Sequence, residues 1–137
     1  MAHRLYYHLV WTTRDRQPLI DAGIAGFLTT FLRAVATREG AQLLEIGVVA
    51  THVHLLLTAP PTAVLPNLIQ ALKGASSRVA KRDGASSTGV ELRWAQGYHL
   101  STIGERQLEQ VRHYLRKQSA HHPDHAINDW SGDLGSR

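Results

Sequence analysis

Two histidines separated by one residue are the first candidates for chemistry in this chain. His52 and His54 lie in the apolar segment THVHLLL, whose composition suits a β-strand. Because successive side chains of a strand point to opposite faces, the two imidazoles project to the same side, roughly 6–7 Å apart. This spacing allows both rings to bind one divalent metal ion. The alternative is a pair of surface histidines, since so short a pattern is common.

A tyrosine and a glutamine near the C-terminus form the second candidate pair. Tyr114 and Gln118 are four residues apart in the segment VRHYLRKQ, so in a helix they share a face. A phenol beside a metal can act as a nucleophile, and an amide oxygen can join two imidazoles as a third ligand. The alternative is that Tyr114 packs over the sheet edge and that Gln118 is solvated.

Hydrophobic periodicity predicts the elements that position these groups. A strand covers residues 5–12, a helix covers residues 24–35 with Gly40 as its stop, and a hairpin joins strands over 41–50 and 52–59. A second helix is predicted over 65–79, followed by a flexible loop DGASSTG and short strands over 92–95 and 98–102. A third helix is predicted to begin at a capping box formed by Thr102 and Glu105 and to end at about Ser119.

This order of elements predicts an α+β fold. We expect a ferredoxin-like βαββαβ antiparallel sheet with helices on one face, and an additional C-terminal helix that carries the tyrosine. Residues 1–122 are predicted to form one domain. Residues 123–137 form an irregular tail, and the chain from His121 onward, which lacks periodicity, is expected to fray or lie on the surface.

Composition limits the classes of protein that remain. The chain has 137 residues, of which 43% are hydrophobic and 19% charged, as in one globular domain. The absence of cysteine excludes disulfides and thiolate metal sites. No apolar stretch is long enough for a signal peptide or a membrane span, which favours a cytoplasmic protein without membrane contact. A formal net charge of +4 fits a polyanionic partner such as nucleic acid.

Five segments in order resemble the single-tyrosine HUH transposases of the smallest insertion sequences and their REP-associated relatives. The resemblance extends from Tyr7 to about His122, through YHLVWTTRDRQPLI, HVHLLL, LIQALKGASSR, WAQGYHLST and VRHYLRKQ. It implies a DNA transposase that cleaves and rejoins single-stranded DNA through a 5′-phosphotyrosine. It further implies that Tyr114 is the nucleophile and that His52, His54 and Gln118 hold Mg²⁺ or Mn²⁺.

The same resemblance implies partners and a location. Members of this family are typically homodimers that recognise DNA hairpins and single strands at element ends, in the cytoplasm of bacteria or archaea and in association with the nucleoid. Trp94 and Tyr98 are candidates for stacking on bases, although packing in the core is the more ordinary role of such aromatics. The candidates for phosphate contacts, each alternatively a solvated charge, are Arg14, Arg16, Lys73, Arg78, Lys81 and Arg82.

Two features of the chemistry stay open at this level. A phenol has an ordinary pKa near 10, so it needs a metal or a nearby cation such as Arg112, Arg116 or Lys117 to lower that pKa. Thr51 also stands immediately before the first histidine, where the family usually has an acidic or amide residue, and this affects how His52 is oriented.

Two other functions remain alternatives. One is a catalytically inactive nucleic-acid-binding domain on the same scaffold, and retention of all four candidate groups argues against such decay. The other is a metal-dependent phosphoesterase that uses water as its nucleophile. The presence of a single His-x-His motif counts against the two-histidine-motif phosphoesterases.

Overall fold

A computed structural model describes residues 4–117 and residue 127. Within this part of the chain, four antiparallel strands form one sheet in the order β2-β3-β1-β4, so β3 and β1 are the central strands. This arrangement confirms the predicted α+β fold. The elements are β1 (Leu5–Thr12), α1 (Ala22–Arg38), β2 (Gln42–Val49), β3 (His52–Ala59), α2 (Leu65–Arg82), β4 (His99–Ile103) and α3 (Leu108–Arg116).

The main core lies between the sheet and helices α1 and α2. Leu9 of β1 pairs with Leu55 of β3, and directly opposed residues share a face of the sheet. Both are fully buried together with Leu28 and Leu32 of α1 and Leu72 of α2. Burial of each such side chain contributes roughly 1.5–3 kcal/mol, so this face dominates the stability of the domain.

Helix α3 lies on the other face of the sheet, against β2 and β3. Between residues 108 and 116 only Leu115 is buried, and the helix is nine residues long. On this side of the sheet β3 carries His52 and His54. The residues of β1 that pair with them, Thr12 and Val10 respectively, lie on the same face. The two faces of the sheet therefore differ in kind: one is an apolar core and the other carries the histidines.

A β-bulge at Leu44 changes which side chains of β2 face α3. Leu43 pairs with Leu57, but the next pair is Glu45 with Leu56, so one residue is inserted into β2. Without this insertion, regular alternation would turn Glu45 toward the apolar core. The carbonyl of Leu43 accepts a hydrogen bond from Nη1 of Arg33 on α1 at 2.7 Å.

The predicted strand over residues 92–95 is wrong. Only one bridge, between Thr13 and Trp94, joins this segment to the end of β1. The chain then turns away, because Gly97 adopts a φ of +86° and the ammonium of Lys73 holds the carbonyls of Ala95 and Gly97.

The start of the third helix also differs from prediction. Thr102 lies inside β4, paired with Tyr7, so it cannot form a capping box with Glu105. A 3₁₀ turn over Glu105–Gln107 precedes α3, which ends at Arg116. The predicted end near Ser119 lies outside the described residues. So does the tail, except for Ile127, which is buried with the core rather than on the surface.

The loop DGASSTG is fixed to the start of α1 rather than flexible. Asp21 caps α1 by accepting a hydrogen bond from the amide of Ile24. Its second carboxylate oxygen accepts hydrogen bonds from the hydroxyls of Ser86 and Thr88 and from the amide of Thr88. Desolvation acts to raise the pKa of Asp21, but these hydrogen bonds, led by that of Ser86, outweigh it and lower the pKa to about 2.

Replacement of Asp21 by alanine is expected to lower the free energy of unfolding by about 1 kcal/mol at pH 7, because both the helix cap and the loop lose their acceptor. Since the folded-state pKa is depressed, this contribution is present above the ordinary pKa of aspartate and is lost as the pH falls toward about 2. Chemical denaturation at pH 7 and pH 2.5 measures both effects.

The control is Asp83→Ala, which removes an exposed carboxylate paired with Arg82. We expect it to change stability much less, because exposed ion pairs contribute little. Equal losses for the two variants at pH 7 would contradict the role assigned to Asp21.

Candidate active site

The two histidines of β3 lie side by side on the face that α3 covers. The ring centroids of His52 and His54 are 4.9 Å apart, and the ring planes are inclined by 62°. The convergence that the strand spacing predicts is therefore present. His52 is only 6% exposed, which excludes the alternative of two ordinary surface histidines.

Each ring has a partner at Nδ1. The hydroxyl of Thr51 lies 3.0 Å from Nδ1 of His52, so the residue that departs from the family pattern contacts the ring that it precedes. Nδ1 of His54 lies 3.0 Å from Nε2 of His8, and these two rings stack with centroids 5.1 Å apart. A metal bound by these two histidines would therefore use Nε2 of each, with the Nδ1 contacts fixing ring orientation.

The surroundings of His8 disfavour its charged form. Burial lowers the pKa of His8, and the nearby His99 lowers it further. Nε2 of a neutral His8 can accept a hydrogen bond donated by a protonated Nδ1 of His54. That tautomer of His54 leaves the lone pair at Nε2, which is the state that a metal ligand requires.

The donor set fits a divalent metal that keeps several exchangeable ligands. Two neutral imidazoles are suitable donors, and within residues 4–117 and 127 no group of three His, Asp or Glu side chains is placed to hold a metal. Additional ligands would come from an amide, water or the substrate. Gln118, the predicted third ligand, lies outside the described residues.

Tyr114 lies beside the second histidine. Its ring centroid is 6.4 Å from that of His54, with the planes inclined by 67°, and the residue is 37% exposed. Helix α3 thus brings the phenol to the same face as the imidazoles, within one chain and 60 positions away in sequence. The side chain retains a surface that a substrate can reach.

A buried carboxylate contacts the helix that carries Tyr114. Glu45 of β2 is 1% exposed, and its Oε2 accepts from Nε of Arg112 at 3.4 Å and from Nε of Arg116 at 3.1 Å. Two of the three cations considered as activators of the phenol are therefore bound to Glu45. The third, Lys117, is exposed at the end of the helix.

Three of the predicted DNA contacts line one cleft. Arg14, Arg78 and Lys81 surround a space of about 380 Å³ between the turn after β1 and helix α2. Glu91 enters the same cleft and lies 3.7 Å from Lys81 and 3.1 Å from Arg93. Arg16 is exposed in the turn after β1. Arg82 also points to solvent, where it pairs with Asp83 at 2.8 Å.

Lys73 and Trp94 have structural partners. The ammonium of Lys73 donates to the carbonyls of Ala95 and Gly97, both at 2.7 Å, and burial lowers its pKa. Nε1 of Trp94 donates to Ser76, and its ring meets Trp11 edge to face. Tyr98 instead is exposed beside a groove of about 330 Å³ that Lys73 also lines.

Sequence reasoning pointed to Thr51 but missed His8 and Glu45. A signal for Glu45 was available, because it is the single acidic residue in the apolar run LLEIGVV. A lone carboxylate in a buried strand needs a cationic partner. His8 gave no comparable signal, because its contact depends on the register between β1 and β3.

Comparisons with known proteins agree with this geometry. The family model described as "Transposase IS200 like" matches residues 1–118. The chain is 32% identical over 119 residues to the ISDra2 transposase TnpA of Deinococcus radiodurans, an alignment that covers 85% of each chain. It is 25% identical over 115 residues to the transposase of insertion element IS200 from Salmonella typhimurium, covering 82% of this chain and 75% of that protein.

Solved structures give the same result. A crystal structure of a Deinococcus radiodurans R1 protein described as a transposase superposes with a TM-score of 0.66 at 32% identity, covering 93% of this chain and 95% of the other. A REP-associated tyrosine transposase bound to a REP hairpin superposes with a TM-score of 0.65 over 89% of this chain and 70% of the other; at 12% identity it supports the fold alone. No helix within the described residues is long and apolar enough to cross a membrane. By sequence and by fold, this chain belongs to the family of IS200-like transposases.

Proposed function

We propose that this transposase cleaves and rejoins single-stranded DNA with Tyr114 as its nucleophile. The observation that carries the proposal is the position of the Tyr114 ring, 6.4 Å from His54 and next to the paired imidazoles. In the reaction, the phenol loses its proton and its oxygen bonds to phosphorus. The bond to the 3′-oxygen breaks, which leaves a 5′-phosphotyrosine and a 3′-hydroxyl, and the reverse step rejoins the strand.

His52 and His54, with Gln118 as the proposed third ligand, would hold Mg²⁺ or Mn²⁺. When bound, such an ion neutralises charge on the non-bridging phosphate oxygens. Thr51 and His8 keep the two imidazoles in orientation through their contacts at Nδ1. The exposed side of Tyr114 admits the strand to be cut.

The partner is proposed to be single-stranded DNA that carries a hairpin. This rests on the family, on the structural neighbour bound to a REP hairpin, and on the basic cleft of Arg14, Arg78 and Lys81. A homodimer and a cytoplasmic location with access to the nucleoid belong to the same proposal. Arg14 and Arg78 are the favoured phosphate contacts, whereas Lys73 already uses its ammonium to hold the loop after Trp94.

Tyr114→Phe is expected to abolish a covalent adduct with labelled hairpin DNA in the presence of Mn²⁺, because phenylalanine has no oxygen to attack phosphorus. DNA binding should persist, since the ring and helix are unchanged. Denaturing electrophoresis detects the adduct. Tyr98→Phe, which alters another exposed tyrosine, is the control and should leave the adduct intact. If Tyr114→Phe cleaves DNA at the wild-type rate, water rather than the phenol is the nucleophile. If the wild-type protein binds DNA but forms no adduct, the chain is an inactive binding domain.

His52→Ala is expected to weaken Mn²⁺ binding at least tenfold and to lower adduct formation by orders of magnitude, because it removes one of two adjacent imidazoles. Electron paramagnetic resonance of free Mn²⁺ measures the affinity without DNA. His113→Ala is the control, since His113 is an exposed histidine of α3. Unchanged Mn²⁺ affinity in His52→Ala would place the metal elsewhere.

Arg78→Ala is expected to weaken DNA binding and to reduce the slope of log K against log salt by about one, because each lost phosphate contact removes about one released counterion. Fluorescence anisotropy across a salt series measures the slope. Arg82→Ala, four residues later on the same helix but paired with Asp83, should change it less. Equal salt slopes for the wild type and Arg78→Ala would show that Arg78 does not contact a DNA phosphate.

A further inference from the structure

We propose that Glu45 is a positioning residue for the nucleophile, holding α3 against the sheet so that Tyr114 faces the imidazoles. The inference rests on the proposed function of Tyr114, and it concerns a residue that neither contacts DNA nor holds a metal in that proposal. Glu45 lies on β2, whereas Tyr114 lies on α3, and ion pairs join the two elements.

The contacts of Glu45 are those of a buried anchor. A single oxygen, Oε2, accepts from the guanidinium groups of Arg112 and Arg116, and the residue is 1% exposed. The other oxygen, Oε1, is buried and accepts no hydrogen bond within the part of the chain that the structure describes. A carboxylate so removed from water depends on its cationic partners, because their loss would leave its charge buried and unpaired.

Helix α3 buries little apolar surface of its own within the described residues. Its nine residues bury only Leu115, and a helix this short is marginal without tertiary contacts. Arg112 precedes Tyr114 by two residues and Arg116 follows it by two. A tilt or rotation of the helix about these two contacts would therefore displace the phenol, and a displacement of about 1 Å can cost 10²-fold in rate.

The bulge in β2 directs Glu45 to this role. Because one residue is inserted at Leu44, Glu45 pairs with Leu56 and lies on the face that carries His54 and α3. The flanking core residues Leu43 and Ile46 remain on the opposite face, packed with α1 and α2. Bulges commonly re-aim one side chain beside an active site.

Glu45→Gln removes the charge and keeps the shape, so it is the main test. Single-turnover adduct formation with saturating hairpin DNA and Mn²⁺ should show a rate constant at least about tenfold lower, with the amplitude and the affinities for DNA and Mn²⁺ unchanged. A general loss of folded protein would lower the amplitude instead. Glu109→Gln is the matched control: Glu109 is exposed on α3 and lies 3.7 Å from the same Arg112, so its loss should leave the rate constant unchanged.

Hydrogen exchange tests the anchor without any catalysis. In Glu45→Gln the amides of residues 112–116 should exchange at least tenfold faster than in the wild type, while the amides of β3 keep their protection. The double variant Arg112→Gln/Arg116→Gln should show at least the same acceleration and the same rate defect, because it leaves the buried carboxylate of Glu45 without its partners. When Glu45→Gln is added to this double variant, the rate constant and the exchange protection should fall no further, because both sets of changes remove the same ion pairs.

The outcomes separate this inference from the function on which it rests. A wild-type protein that forms no adduct overturns the proposed chemistry, and the exchange data then still decide whether Glu45 holds α3. A wild-type adduct together with an unchanged rate constant in Glu45→Gln overturns the positioning role. Losses that add up in the triple variant overturn it as well, because they would show that Glu45 and the arginines act independently.

Discussion

The pairing of β3 with strands on both sides is the constraint on which the site depends. Because β3 lies between β1 and β2, its register is fixed along its whole length, and strict alternation assigns each side chain to one face. Val53, Leu55 and Leu57 enter the apolar core, so His52 and His54 must emerge on the other face. A slip of one residue would turn both imidazoles into the apolar core and would turn Val53, Leu55 and Leu57 away from it, which is a large energetic penalty. The stability of the core thus enforces the geometry of the site.

The site combines rigid and weakly held parts. The imidazoles come from a central strand, and Thr51 and His8 contact their Nδ1 atoms from the hairpin turn and from β1. The phenol comes from a short helix with one buried apolar residue, and the ion pairs of Glu45 join this helix to β2. The proposed chemistry at phosphorus requires both parts to be placed together, so in this account the polar attachment of α3 is as relevant as the proposed metal ligands.

Hydrophobic periodicity made most of the helices and strands predictable. The elements that were predicted wrongly depend on local contacts. The segment 5–12 alternates and the segments 41–50 and 52–59 are short and apolar, and they form β1, β2 and β3 within one residue at each end. The segment 92–95 has strand composition, but the ammonium of Lys73 and the turn at Gly97 divert it. The expected capping box failed because Thr102 pairs within β4. The convergence of His52 and His54 could be predicted because it needs only strand geometry. The contacts of His8 and Glu45 could not, since they depend on register and on a bulge.

The central claim is that two imidazoles and one phenol of this chain act on the same phosphate. A crystal structure of Tyr114→Phe with hairpin DNA and Mn²⁺, analysed by anomalous scattering, tests it most directly. The account predicts one Mn²⁺ bonded to Nε2 of His52 and of His54, with the ring at position 114 against a DNA phosphate that also contacts the ion. A metal bound away from these histidines, or a ring at position 114 remote from any metal-bound phosphate, would contradict it.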